Sequence, residues 1–248
     1  TLSGTAVSLD AKSGSGGIGQ QAGQVLQVTD TTTLDAGSGA VRLTEVANKF
    51  GGLVTVKAGE TVLRAGEGLN VVLDNTGATT LTAGQALTVS GTASSLDAKA
   101  SGGSIGQPVG RALQVAGETT LDAGSQAVSL TEAANKFGGL VTVKAGQTAV
   151  RASESLNVAL ENTDATTLTA GQSLDVSGTA TSLETVSGAL HFGQTKLAAD
   201  GKFTAHGSVS QESASALEIG GATTLNVDLQ AGESILLANR GNAFGSTL

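Results

Sequence analysis

The runs LVTVKAG (Leu53 to Gly59), LNVVLDN (Leu69 to Asn75), TTLTAG (Thr79 to Gly84) and ALTVSG (Ala86 to Gly91) decide the fold. In each, apolar and polar residues alternate with a period of two, and Gly, Asn or Asp closes the run, which is the pattern of a short half-buried β-strand. No apolar stripe of period 3.6 and useful length competes with it. The fold class is therefore all-β, built from many short strands and tight turns.

These runs belong to a long tandem repeat, and a repeat sets the architecture before any motif does. Leu9 corresponds to Leu96 and Leu183, Ile18 to Ile105, and Phe50 to Phe137, always 87 residues apart. LTEVANKFGGLVTV (Leu43 to Val56) returns as LTEAANKFGGLVTV (Leu130 to Val143). The copies lie near 9–95 and 96–182, and a divergent third occupies 183–248. The third Phe-Gly motif, at Phe244, comes later after Phe137 than that interval predicts. The excess of 20 reads as one inserted unit between Gln194, which aligns with Gln107, and Leu225, in the segment TKLAADGKFTAHGSVSQE. The first and last residues both fall inside a repeat, which predicts a single repeat segment of a larger protein.

A shorter phrase recurs inside the long repeat: TTLDAG at Thr32, TVLRAG at Thr61, TTLTAG at Thr79 and SSLDAK at Ser94. Its central leucines, Leu34, Leu63, Leu81 and Leu96, recur as Leu121, Val150, Leu168 and Leu183. Four phrases per long repeat give a unit of about 22 residues, room for three strands of a three-sided coil. Stacked coils place equivalent strands side by side in parallel. The expected architecture is a parallel β-helix of about 11 coils with three short strands each, a rod about 55 Å long. A lone coil buries too few aliphatic side chains to order its own backbone, so only a stack of coils is stable. On this reading ANKFGG recurs once per four coils and marks the period, Asn48 with Gly51 and Gly52 turns a corner, and Phe50 fills a wide spot in the core.

Composition agrees with a narrow aliphatic core. Aromatic residues make up 2%, with no Trp or Tyr, while 39% of residues are hydrophobic, too many for a disordered chain. The absence of Cys excludes disulfides and Cys-ligated zinc, and fits export without oxidative folding. A net charge of -8 with only 13 Lys and Arg makes nucleic acid and anionic lipid poor partners. No run of about 18 apolar residues exists, so no membrane insertion is expected.

Four features invite a functional reading. Gly14, Gly16 and Gly19 have the spacing of a dinucleotide fingerprint, but the copy reads ASGGSIG, with Ser101 in place of the first glycine, so a loop is expected. The loop regions near 13–24 and 100–111 are expected to bulge, the second carrying the only proline, Pro108. His191 and His206 are the only histidines and have neither a carboxylate cluster nor a nucleophile recurring with them, so they are read as exposed surface residues. The polar positions of the recurring phrase form an expected outward column of Asp10, Asp35, Arg64, Thr82, Asp97 and Asp122, continued by Arg151, Thr169 and Glu184. In that register Asp35 neighbours Arg64 and Asp122 neighbours Arg151 as solvated ion pairs, while Asp10 meets Asp35 and Asp97 meets Asp122. Thr80 with Thr82 and Thr167 with Thr169 look like the threonine pairs of ice-binding solenoids, but the intervening rungs interrupt them. No catalytic, cofactor-binding or metal-binding residue is assigned, no cofactor is expected, and the chain is read as not an enzyme.

The low-aromatic, cysteine-free repeats with N-x-F-G-G phrases, Asn48 to Gly52 and Asn135 to Gly139, and the looser Asn242 to Gly245, resemble the shaft repeats of filamentous haemagglutinin-type exoproteins. That resemblance implies a right-handed β-helix, secretion to the exterior of a Gram-negative outer membrane, and an outer-membrane two-partner secretion transporter as partner. It also implies attachment to host or neighbouring cells. The Asn-Pro-Asn-type signatures of that family's secretion domain are missing here, since the sole proline follows Gln107. The leading expectation is thus a structural shaft of a large adhesin. The alternative is that the segment itself binds a host-cell glycan or protein receptor through loops or a polar face, and a polysaccharide lyase or hydrolase comes third.

Overall fold

The structure, a computed structural model, describes residues 1–14 and 16–245. Among these, every strand pairing is parallel and no helix occurs. Two long sheets each run as an unbroken path of 12 strands, the first from Leu9–Lys12 to Thr223–Val227 and the second from Ile18–Gly19 to Ile235–Leu236. A third, short sheet joins Gly4–Ala6, Leu26–Val28 and Lys49–Phe50. The chain is a parallel β-solenoid of about 12 turns, about 58 Å long at about 4.8 Å per turn.

Inward positions stack as ladders of small aliphatic side chains. In the second long sheet Leu43, Leu63, Leu81, Ala98, Leu121, Val143 and Leu160 follow one another rung by rung, and all are buried. Each side chain fills the space over its neighbour, so every rung needs the next one to stay dry. The largest side chains gather near the later rungs, where Phe192 and Phe203 meet edge to face with ring centroids 4.9 Å apart.

The turns are not uniform, in contrast to the even unit expected from the recurring phrase. The second long sheet can be followed from Ile18 through Val41, Thr61, Thr79, Leu96, Thr119, Val141 and Val158 to Val176. Along that path the residue number advances by 23, 20, 18, 17, 23, 22, 17 and 18 from one turn to the next. Wide turns carry three separate strands, such as Leu26–Val28, Thr32–Asp35 and Ala40–Leu43. Compact turns carry two longer strands, one of which bends and serves two sides. Leu87–Ala93 shows how: Leu87 and Thr88 pair with Ile105 and Gly106, whereas Gly91 to Ala93 pair with Leu113 to Val115. The bend sits at Gly91, with φ 101°, where a Cβ would lie 2.0 Å from the Leu73 carbonyl oxygen. Its copy Gly178 has φ 102° and is equally crowded by the Leu160 carbonyl, so only glycine fits either bend.

Unequal turns change the phase of the long repeat. Four turns of the second long sheet carry Thr61 to Val141, and its copy Thr148 lies one strand further, in the first long sheet. The long repeat therefore spans four turns and one further side, and each copy is displaced onto the next side of the solenoid. Thr32–Asp35 lies in the first long sheet and its copy Thr119–Asp122 in the second; Glu60–Ala65 and Thr148–Ala152 exchange the other way. The phrase leucines consequently do not form one column. Leu63 does stack on Leu81, but Leu34 stacks on Val56, and Leu96 lies between Thr79 and Thr119. Phe50 and Phe137 are both buried, yet on different sheets, so ANKFGG does not recur after a whole number of turns.

Candidate functional site

The side chain most specific to the repeated ANKFGG phrase is its asparagine, and it is buried rather than displayed at a corner. The Asn48 Oδ1 accepts hydrogen bonds from the Leu26 backbone N–H (2.9 Å) and from Gln20 Nε2 (2.5 Å), and its Nδ2 donates to Gln20 Oε1 (2.9 Å). Asn135 repeats this with the Leu113 N–H (2.8 Å) and with Gln107 Nε2 and Oε1 (2.6 and 3.0 Å). Asn242 repeats it with the Leu217 N–H (2.9 Å) and with Gln211 Nε2 and Oε1 (2.6 and 2.9 Å). Two amides that pair face to face satisfy each other's donors and acceptors inside the wall, where an unpaired one would be costly. Each glutamine also donates to the carbonyl four residues ahead, at Gln24, Arg111 or Ser215. The clamp thus closes an extra loop onto the asparagine of the next turn. This is how a wide turn absorbs its additional residues without opening the core.

The glycines of the phrase serve close approach. A Cβ on Gly51 would lie 2.4 Å from the Thr29 carbonyl oxygen, and one on Gly138 2.2 Å from that of Ala116. The clamped loop at Gln107 does bulge, as its sequence suggests: it joins two strands that both pair with Leu87–Ala93, and Val109 is 95% exposed. Of the stretch Ser13 to Gly19, all but Ser15 is described; it runs into the strand Ile18–Gly19, with no helix after it to receive a phosphate.

The outward charges occupy a different register from the expected one. Asp35 lies between Lys12 and Lys57, with Asp74 next, all on the first long sheet, whereas Arg64 is on the second. Likewise Asp122 lies between Lys99 and Lys144, with Glu161 next, while Arg151 is on the other long sheet. The expected pairs of Asp35 with Arg64 and Asp122 with Arg151 are thus overturned by the displacement of the repeat. The expected like-charge contacts vanish too, because Asp10 faces Thr33 and Asp97 lies between Thr80 and Thr120. The charges alternate in sign along each column, a favourable cross-strand order. Lys99 Nζ sits 2.5 Å from the Asp122 carboxylate; the hydrogen bond from Lys99 holds the Asp122 carboxyl below its ordinary value, against a partial opposing effect of burial.

His191 is half-buried, with Nδ1 2.9 Å from Ser210 Oγ, and His206 is exposed in the following turn. Among the described residues there is no group of three or more side chains suited to hold a metal ion. Thr80 and Thr82 face Val62 and Arg64 on one side and Asp97 and Lys99 on the other, so no flat threonine array forms there. The Gln–Asn clamp was the element missed in the sequence, although a signal existed: Gln20 precedes Asn48, and Gln107 precedes Asn135, by 28 residues. In the divergent third part the glutamine partner is Gln211, 31 residues before Asn242, rather than Gln194.

The sequence model of one family, described as repeats of unknown function (DUF5649), matches three segments, residues 1–57, 76–144 and 180–248. Each segment contains one complete clamp, and the unmatched stretches 58–75 and 145–179 belong to compact turns. No curated protein and no solved structure matches the chain. The matched segments cover more than half of the chain, which therefore belongs to the DUF5649 family of repeats of unknown function.

Proposed function

We propose that this chain is a structural shaft of a large, secreted or surface-exposed bacterial adhesin, spacing adhesive or effector domains away from the cell. The observation that carries this reading is the unbroken pair of 12-strand parallel paths around one continuous aliphatic core. Such a rod transmits position along its axis. Charge columns of alternating sign and clamped loops maintain it from rung to rung without building a recurrent reactive site. The resemblance to haemagglutinin-type exoproteins supports the same reading and adds its partner, a two-partner secretion transporter of the outer membrane. Localisation outside a Gram-negative cell belongs to this proposal, as does the absence of enzymatic activity.

A spacer is tested by exchange. Replacing residues 1–248 in the parent protein with an unrelated β-solenoid of equal length should preserve attachment. Deleting them should bring a distal epitope about 58 Å closer to the cell surface, measured by electron microscopy of labelled cells. Loss of attachment despite an equal-length replacement would contradict the shaft reading.

A further inference from the structure

The outward face of the second long sheet changes character in its later rungs. Along one column Asn157, Asp175, His191 and Ser210 follow one another on successive strands. Beside it lie Ser155, Ser173 and Ser208, with the Ser173 hydroxyl donating to Ser155 Oγ at 2.9 Å. At the far end Glu212 accepts from the Ser215 hydroxyl at 2.8 Å, next to a bulge where Ser177 faces the extra residues Gly193 and Gln194. Asn157, Asp175, His191, Glu212 and Ser215 line a shallow open cleft of about 450 Å³, and Ser155, Ser173 and Ser208 line a second of the same size.

The same positions one repeat earlier are plain. Ser155, Ser173, Asp175 and His191 stand where the preceding repeat has Gly68, Ala86, Thr88 and Gly106, since Gly106 pairs with Thr88 as His191 does with Asp175. The inward residues of the first two strands do not change: Leu69, Val71, Leu87 and Val89 correspond to Leu156, Val158, Leu174 and Val176, all buried, while in the strand of His191 Leu190 stands for Ile105. In the first two strands the core has kept its residues while the outer face has acquired hydroxyl and carboxylate groups, and the third strand adds the imidazole. Packing gives no reason for that difference.

The chemistry of the cleft narrows what fits. No Lys or Arg lines it, and two carboxylates would repel an anion. Its one large apolar residue, Val176, is buried, so it offers no platform for a flat apolar ligand. The described residues hold no three-ligand metal set. A hydrolytic dyad is poorly served, because the His191 nitrogen facing Ser210 is Nδ1, the atom that an orienting carboxylate would need. What remains is a mixed array of acceptors and donors at the rung spacing, with Ser210 fixing the imidazole. Hydroxyl groups both donate and accept, and so can use each of these side chains.

We infer that this face binds an uncharged, hydroxyl-rich ligand of the oligosaccharide class, with Asp175 and His191 at its centre. The inference goes beyond the shaft reading and is independent of it, since a shaft needs no ligand and a binding face needs no particular length.

The test is binding of the full chain to immobilised neutral hexose oligosaccharides, with poly-lysine and polygalacturonate as contrasting probes. At least one neutral oligosaccharide should bind. The double substitution Asp175→Thr with His191→Ser installs the residue that the preceding repeat carries at the first position and removes the imidazole at the second, and should weaken binding about tenfold or more through the lost hydrogen bonds. Thr88→Ala, at the counterpart of Asp175 on the earlier repeat, should leave binding unchanged, and circular dichroism melts should coincide for the wild type and both variants. Failure of every neutral oligosaccharide to bind would overturn the inference. So would binding that survives the Asp175 and His191 substitutions, or binding to poly-lysine or polygalacturonate alone.

Discussion

The first and second copies of ANKFGG sit in stretches that differ at a single position, Val46 against Ala133, yet they are built into different sides of the solenoid. Leu26–Val28 pairs with Gly4–Ala6 and Lys49–Phe50 in the short sheet. Its copy Leu113–Val115 pairs with the equivalent partners, residues 91–93 and 136–137, as a branch of the first long sheet. The clamps nevertheless match: the backbone N–H bonds to Asn48 and Asn135 measure 2.9 and 2.8 Å, and the Nδ2 bonds to glutamine 2.9 and 3.0 Å. The ion pair of Lys49 with Glu67 likewise recurs as Lys136 with Glu154. Local structure therefore follows local sequence, while position around the axis follows the summed lengths of the turns between copies. A side of the solenoid is not a property of a motif.

If the two copies are energetically equivalent, breaking either clamp must cost the same. Asn135→Ala leaves the Leu113 N–H and the Gln107 amide without their buried partner, and should destabilise its wide turn by about 2–4 kcal/mol. Asn48→Ala should do the same to the turn at Leu26. Amide hydrogen exchange at Leu113 and Leu26 reads each effect locally, which matters because solenoids do not unfold as one unit. A clear difference between the two, with the wild-type amides equally protected, would show that the surrounding side matters more than the clamp.

The charge columns predict a smaller effect with a defined direction. The Asp122 carboxyl titrates lower in the folded chain than its ordinary value near 3.8, so the pair with Lys99 contributes stability above that value. The contribution is lost as pH falls through the lowered folded value. In acid titrations followed by thermal melts, Asp122→Asn should flatten this last decline while leaving stability near neutral pH only slightly reduced, as befits a largely exposed pair. An unchanged acid limb would mean that the Lys99 hydrogen bond contributes nothing in solution.

Strand type, parallel stacking and a repeat-built aliphatic core were all legible in the alternating runs around Leu53 to Gly91, because period two leaves little choice of conformation. The phase was not. An averaged unit conceals the difference between the turn from Thr79 to Leu96 and the longer one from Leu96 to Thr119, and a strand that bends at Gly91 looks no different in sequence from one that ends there. From that one error came the misplaced neighbours Asp35 and Arg64. The clamp was hidden because its partners lie in successive turns, so neither Gln20 nor Asn48 signals the other locally. The polar face around His191 was invisible for a related reason: Asn157, Asp175, His191 and Ser210 are scattered in the chain and meet only once the rungs are in register.

Because the chain has no cysteine, the displacement of one copy relative to the next can be read by disulfide trapping. The register places residue 35 beside 57 and residue 122 beside 144, within the short Cα separation that a disulfide requires. The double variants Asp35→Cys with Lys57→Cys, and Asp122→Cys with Lys144→Cys, should therefore cross-link on mild oxidation. Asp35→Cys with Arg64→Cys, and Asp122→Cys with Arg151→Cys, should remain reduced. Cross-linking of the 35/64 or 122/151 pair, with the 35/57 and 122/144 pairs left free, would show that the phrases stack directly and would contradict a repeat of four turns and one further side.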